Sequence, residues 1–267
     1  VLNATATIQG FRDPDPVPSA ARELDERPDP RVNERPAGVD YDGPMLPTLA
    51  ISMGDPHGIG AEVTVKALAE TGLRAAARWR IYGQHQPMEQ AARAAGIAPF
   101  WETLAPEHPR LADQTPGVAL VEVAGPGLVE STPSPRRPTA ISGAASLAFL
   151  ELAIADCKRT PTDPLRASGL VTAPISKEAW ALAGHAEFPG HTELLAARFG
   201  GAHVRMMFDA PGLRTILVTT HVPLARVPGL LSIDRITQTI EMGATACKRL
   251  GVASPRIAVC GLNPHAG

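Results

Sequence analysis

Leu49-Ala50-Ile51-Ser52-Met53-Gly54-Asp55-Pro56-His57-Gly58-Ile59-Gly60 is the stretch on which the fold turns. Leu49 to Met53 is a short apolar run of strand character, and Gly54 to Gly60 has the chemistry of a turn. Ala61 to Glu70 follows with helix formers and apolar residues at Val63, Ala67 and Leu68. Strand, glycine loop and helix in that order open a layered α/β protein. Glycines ahead of a helix let backbone amides face a ligand where the helix dipole favours an anion. The spacing has neither the Lys-Ser/Thr ending of a P-loop nor the GxGxxG pattern, so a purely structural turn is an equal reading.

Working outward, apolar runs recur at Trp79 to Tyr82, Val118 to Val123, Gly169 to Thr172, Val204 to Phe208, Arg214 to Thr219 and Arg256 to Cys260. Helical stretches alternate with them, notably Ala144 to Lys158 and Ile233 to Leu250. The alternation predicts α/β layering in two lobes, 48–138 and 139–267, divided in the Pro- and Gly-bearing region Gly125 to Pro138. Residues 1–47 read as a disordered tail: from Asp13 to Pro47 the chain is dense in Pro, Asp, Glu and Arg and lacks the apolar periodicity that would offset its ordering entropy.

Composition narrows the function. A chain of 267 residues with 44% hydrophobic content and formal charge −2 can bury a substantial core. No apolar run approaches the about 20 residues of a membrane span, and no signal-peptide pattern opens the chain, so a cytoplasmic protein without membrane contact is expected. Aromatics at 4% and near-neutral charge argue against a nucleic-acid partner. Cys157, Cys247 and Cys260 form no CxxC pair and read as buried free thiols.

Three further segments carry possible chemistry. Val171-Thr172-Ala173-Pro174-Ile175-Ser176-Lys177 leaves a strand and enters a helix whose first turn holds Lys177, which can neutralise an anion, relay a proton, or simply be a surface lysine. Phe188-Pro189-Gly190-His191-Thr192-Glu193 hands His191 and Thr192 to a helix N-terminus, a ready anion pocket. His221 follows one strand and His265 another; at the carboxyl ends of parallel strands the two could converge on a divalent metal, or each could be a hydrogen-bonded structural residue.

Ser52 to Gly60, Thr172 to Lys177, Pro189 to Glu193, Met206-Met207, Thr219 to Leu224 and Cys260-Gly261-Leu262-Asn263-Pro264-His265-Ala266-Gly267 occur in one order over Leu49 onward. Through them the chain resembles the 4-hydroxythreonine-4-phosphate dehydrogenase family of pyridoxal phosphate biosynthesis. The resemblance implies two α/β/α lobes of the isocitrate/isopropylmalate dehydrogenase-like fold, an active site in the interlobe cleft, and a homodimer. It implies that His191 and Thr192 bind substrate, and that His221 and His265 are two of three ligands to zinc or to magnesium or cobalt. NAD is the implied hydride acceptor, its contacts unassigned. A substrate amino alcohol chelated by the metal would be oxidised at C3 to a β-keto acid that loses carbon dioxide. The chain stops before the third metal histidine and the downstream Lys, Asn and Arg of the family pattern. Alternatives are a D-threonate or D-erythronate 4-phosphate dehydrogenase, and an inactive dimerising or phosphate-binding module.

Overall fold

The computed structural model describes residues 5–8, 46–113, 117–124, 137–201, 204–210 and 212–264. In chain order these form β1 (Thr5–Ile8), β2 (Thr48–Ser52), α1 (Gly60–Ala69), α2 (Thr71–Ala75), β3 (Arg78–Gly83) and α3 (His85–Ala95). Next come β4 (Glu102–Leu104), β5 (Val118–Glu122), α4 (Ala140–Cys157), β6 (Gly169–Thr172), α5 (Lys177–Leu182) and α6 (His191–Phe199). The remainder are β7 (Met207–Ala210), β8 (Leu213–Leu217), α7 (Val227–Leu230), α8 (Ile233–Arg249) and β9 (Ile257–Val259). The chain divides into two compact units, 42–202 and 1–41 with 203–267.

In the 42–202 unit five strands run parallel in the order β4-β5-β3-β2-β6. Consecutive residues Trp79, Arg80, Ile81 and Tyr82 of β3 are all buried, so both faces of the sheet are covered, as parallel sheets require. The connections β2-α1-β3 and β5-α4-β6 move across the sheet in opposite directions. Right-handed crossovers then put α1 and α4 on opposite faces. Val65, Leu68, Ile81, Met88, Leu120 and Phe149 anchor the resulting core.

Helix α4 is capped by a reciprocal pair: Thr139 Oγ1 accepts from Ser142 N at 3.0 Å, and Thr139 N donates to Ser142 Oγ at 3.3 Å. By length and composition it could cross a membrane, but it packs on β2, β3, β6 and α5, and its apolar character is that of a core helix.

In the other unit four strands pair antiparallel in the order β7-β8-β1-β9. Ile216 of β8 and Cys247 of α8 form its small core with Met207, Met242, Val252 and Ile257.

Several expectations are corrected. The boundary expected between 48–138 and 139–267 falls inside one unit, because β6 pairs in parallel with β2 and so ties 140–202 to the sheet of 48–122. The strands preceding His221 and His265 lie in an antiparallel sheet, since β1 intervenes between β8 and β9. Both oppose β1 and therefore run parallel to each other, which keeps their carboxyl ends at one edge. The tail assigned to 1–47 includes strand β1; residues 9–45 lie outside the described residues. Of the three cysteines only Cys247 is buried, Cys157 being half-buried and Cys260 exposed.

Candidate functional site

Neighbouring strands β2 and β6 send their outgoing connections to opposite faces of the sheet, to α1 and to α5, which packs on α4. Such a reversal point opens a crevice at the carboxyl ends of the strands, where open α/β sheets bind ligands. The two loops meet there through their backbones: Asp55 N donates to Pro174 O at 3.0 Å and Ala173 N to Ser52 O at 2.9 Å. Gly54 makes this approach possible, with φ 79 and a position where any Cβ would overlap the Pro174 carbonyl oxygen. Gly54→Ala is expected to lower stability by at least about 2 kcal/mol, read from the urea midpoint. An unchanged midpoint would show that the two loops are not held by this contact.

The loop is fastened on its other side as well. The buried Asp55 carboxylate accepts from His57 N at 2.8 Å, and His57 Nδ1 lies 3.3 Å from Oγ1 of Thr139, the α4 cap. Ser52 Oγ, fully buried at the end of β2, has no hydrogen-bond partner among the described residues.

Lys177 is the first residue of α5, whose cap Ser176 accepts from Ala179 N at 3.1 Å. Its side chain passes over Gly190: a Cβ there would sit 3.4 Å from Lys177 Cε, 3.9 Å from its Nζ and 3.6 Å from Glu193 Oε2. His191 and Thr192 open α6, whose N-terminus has no side-chain cap. The structure thus brings together Lys177 and the Gly190 to Glu193 turn, residues that the sequence singles out separately.

His191 is held by residues that sequence reasoning missed. Its ring stands edge-to-face with Trp180, centroids 5.8 Å apart at 79°. Trp180 is fully buried and donates from Nε1 to Ser146 Oγ at 2.8 Å, while that hydroxyl donates to Gly143 O at 2.9 Å. The indole is therefore fixed in its own plane before it meets the imidazole. His191 Nε2 is buried and has no hydrogen-bond partner among the described residues. Burial pushes the His191 pKa down. No local sequence signal links Ser146 to Trp180, because the contact depends on α4 lying against α5.

In the 203–267 unit, β8 runs into Val218-Thr219-Thr220-His221. His221 is exposed and has φ 56, the one left-handed non-glycine backbone among the described residues. Such strain marks functional positions often enough to carry a hypothesis. His265 lies outside the described residues. Among the described residues no three His, Cys, Asp or Glu side chains come together as a metal set, so they do not by themselves fit a metal centre.

A parallel five-stranded sheet whose strands connect through helices on both faces defines the class as an α/β protein. The family described as pyridoxal phosphate biosynthetic protein PdxA matches residues 75–267. The D-threonate 4-phosphate dehydrogenase of Cupriavidus necator is 38% identical over 223 residues, covering 83% of this chain and 64% of that protein. The 4-hydroxythreonine-4-phosphate dehydrogenase of Desulfosudis oleivorans is 39% identical over 222 residues, covering 83% and 63%. Among solved structures, a putative 4-hydroxythreonine-4-phosphate dehydrogenase from Salmonella typhimurium superposes with TM-score 0.67 at 36% identity, covering 83% of this chain and 66% of that one. The enzyme of the same name from Klebsiella pneumoniae gives 0.67 at 34%, covering 84% and 65%. The chain belongs to the PdxA family. It spans 64% and 63% of the length of the two curated relatives named here.

Proposed function

We propose that the protein is an NAD-dependent dehydrogenase acting on a phosphorylated four-carbon hydroxy acid, converting 4-phosphohydroxy-L-threonine to 3-amino-1-hydroxyacetone 1-phosphate on the route to pyridoxal phosphate. The observation that carries this reading is the buried Nε2 of His191, without a partner among the described residues, at an uncapped helix start beside Lys177. Buried polar atoms in native proteins have partners, and a substrate oxygen would supply this one. His191 and Thr192 then hold the substrate, with the first-turn amides of α6 turned toward its negative charge. Lys177 neutralises an anionic group or relays a proton.

Oxidation at C3 breaks the C–H bond, sends a hydride to NAD and releases the hydroxyl proton, leaving a β-keto acid. Cleavage of its carboxyl group releases carbon dioxide, and the electron pair left behind takes up a proton to give the amino ketone phosphate. A divalent ion drawing on His221 and His265 belongs to the same reading, supported by the left-handed backbone at His221, although no step here rests on it. So do a homodimer and a cytoplasmic setting.

The near-equal identity to the Cupriavidus necator enzyme favours a second reading, with D-threonate 4-phosphate as substrate. The test is NADH formation from NAD with each substrate, after zinc, magnesium or cobalt is added to chelated protein, with His221→Ala as control. Turnover of 4-phosphohydroxy-L-threonine is the expected result. Turnover of D-threonate 4-phosphate alone would move the assignment to the second reading. Folded protein that turns over neither would overturn the dehydrogenase reading and leave a binding module.

A further inference from the structure

Arg205 and Arg235 lie together in the 203–267 unit without a carboxylate on either of them among the described residues. Arg235 Nε donates to Val218 O at 3.0 Å, three residues before His221. Arg205 Nε donates to Thr239 Oγ1 at 2.8 Å, and that hydroxyl donates to Arg235 O at 2.7 Å, one turn back along α8. Arg205 also donates from Nη1 to Val204 O at 2.9 Å. Both guanidiniums are therefore anchored by Nε, which leaves both Nη groups of Arg235 and one of Arg205 for another acceptor. Both side chains are half-buried.

Two like charges held close and partly out of water oppose folding, and an anion bound to both would offset that cost. Burial and the charge of Arg235 both push the Arg205 pKa down, which is the electrostatic mark of that opposition. Arg214 on β8 shows the contrast: it is paired with Asp209 at 2.7 Å. A second observation lies next along the chain from the carbonyl that Arg235 holds. Thr219 is 1% exposed, and its Oγ1 has no hydrogen-bond partner among the described residues.

We propose that Arg205 and Arg235 form a binding site for a phosphoryl group carried by one of the protein's ligands. Guanidinium forks match the oxygens of phosphate, and Nε anchoring on Thr239 and on Val218 O orients the forks in advance. The phosphoryl group comes either from a phosphorylated acid or from the diphosphate of a dinucleotide. Only the identity of these two ligands rests on the dehydrogenase reading; the anion site itself does not.

The test uses the whole chain. Inorganic phosphate is expected to raise the melting temperature above that in sodium chloride of matched ionic strength, by linkage to the native state. Arg205→Gln with Arg235→Gln should abolish that rise, its melting temperature in phosphate equalling its own in matched chloride. Arg205→Lys, which keeps the charge and loses the fork, should retain part of the rise. No phosphate-specific rise in the unsubstituted protein, or a full rise in the double variant, would overturn the site. Calorimetric titration of NAD and of D-threonate 4-phosphate then separates the sources: the ligand bound at least about ten-fold more weakly by the double variant is the one held here. Unchanged affinity for both would overturn the proposal even if inorganic phosphate binds, whereas absent turnover with intact phosphate binding would count against the dehydrogenase reading alone.

Discussion

Replacing Asp156 with Ala is expected to cost about 3–5 kcal/mol of stability, measured from urea unfolding at neutral pH. Asp156 sits at the end of α4 and accepts from both Arg80 and Tyr82 through one oxygen, and from Arg159 Nε at 2.6 Å through the other. The Arg80 and Asp156 side chains are only 5% and 10% exposed. Arg80 also donates to Leu165 O at 2.6 Å and Leu111 O at 2.8 Å, so a single guanidinium ties β3 to α4, to the 3-10 helix Pro109–Ala112 and to the loop before β6. Removing the carboxylate leaves a buried cation among carbonyls alone and deprives the Tyr82 hydroxyl of its acceptor. Burial first, and then the bond to Asp156, raise the Tyr82 pKa, so that hydroxyl stays protonated and remains a donor. Glu62 and Lys66, an exposed pair on α1, give the scale at the other extreme: Glu62→Gln should change stability by less than about 0.5 kcal/mol. A loss below about 1 kcal/mol for Asp156→Ala would mean that this network is not what holds α4 to the sheet.

His191→Ala should lower kcat/KM for the phosphorylated substrate about 100-fold, the usual effect of removing one positioned hydrogen-bonding group. The accompanying stability change has a definite sign. The folded-state pKa of His191 is depressed by burial, so below about 6.5 the unfolded chain takes up the proton more readily. His191 therefore adds no pH dependence while both states are neutral, and destabilises the fold as pH falls through 6.5 toward the lower folded pKa. Unfolding at pH 7.5 and 5.5 should show this acid sensitivity, and His191→Gln should reduce it. An unchanged kcat/KM in the Ala variant would remove His191 from the site, whatever the pH series shows.

The sequence carries the site's loops more clearly than their supports, for physical reasons. Apolar runs and glycines are local, so β2, the Gly54 to Gly60 loop and α1 are legible where they stand. Ser176 and Gly190 ahead of Lys177 and His191 mark helix starts, and those residues do open α5 and α6. The Arg80–Asp156 network joins residues 76 apart, and Trp180 meets Ser146 across 34, so nothing nearby announces either. Strand β1 is four residues long, and its partners lie near the other end of the sequence. Without that pairing visible, the direction of the second sheet could not be read. The division after 138 was misplaced because Pro and Gly mark a turn as readily as a domain boundary, whereas β6 returns to the same sheet.

The interleaving of β1 between β8 and β9 bears on how the chain is made. Synthesis delivers Thr5–Ile8 to the ribosome exit roughly 200 residues before either partner strand exists. The five described strands of the 42–202 unit all lie within that unit and can pair as it emerges. The four-stranded sheet cannot, since β1 waits for β8 and β9 and its pairing closes a loop of roughly 200 residues. Vectorial production thus gives the two units different histories, one able to fold as it emerges and the other waiting for β8 and β9 to reach β1.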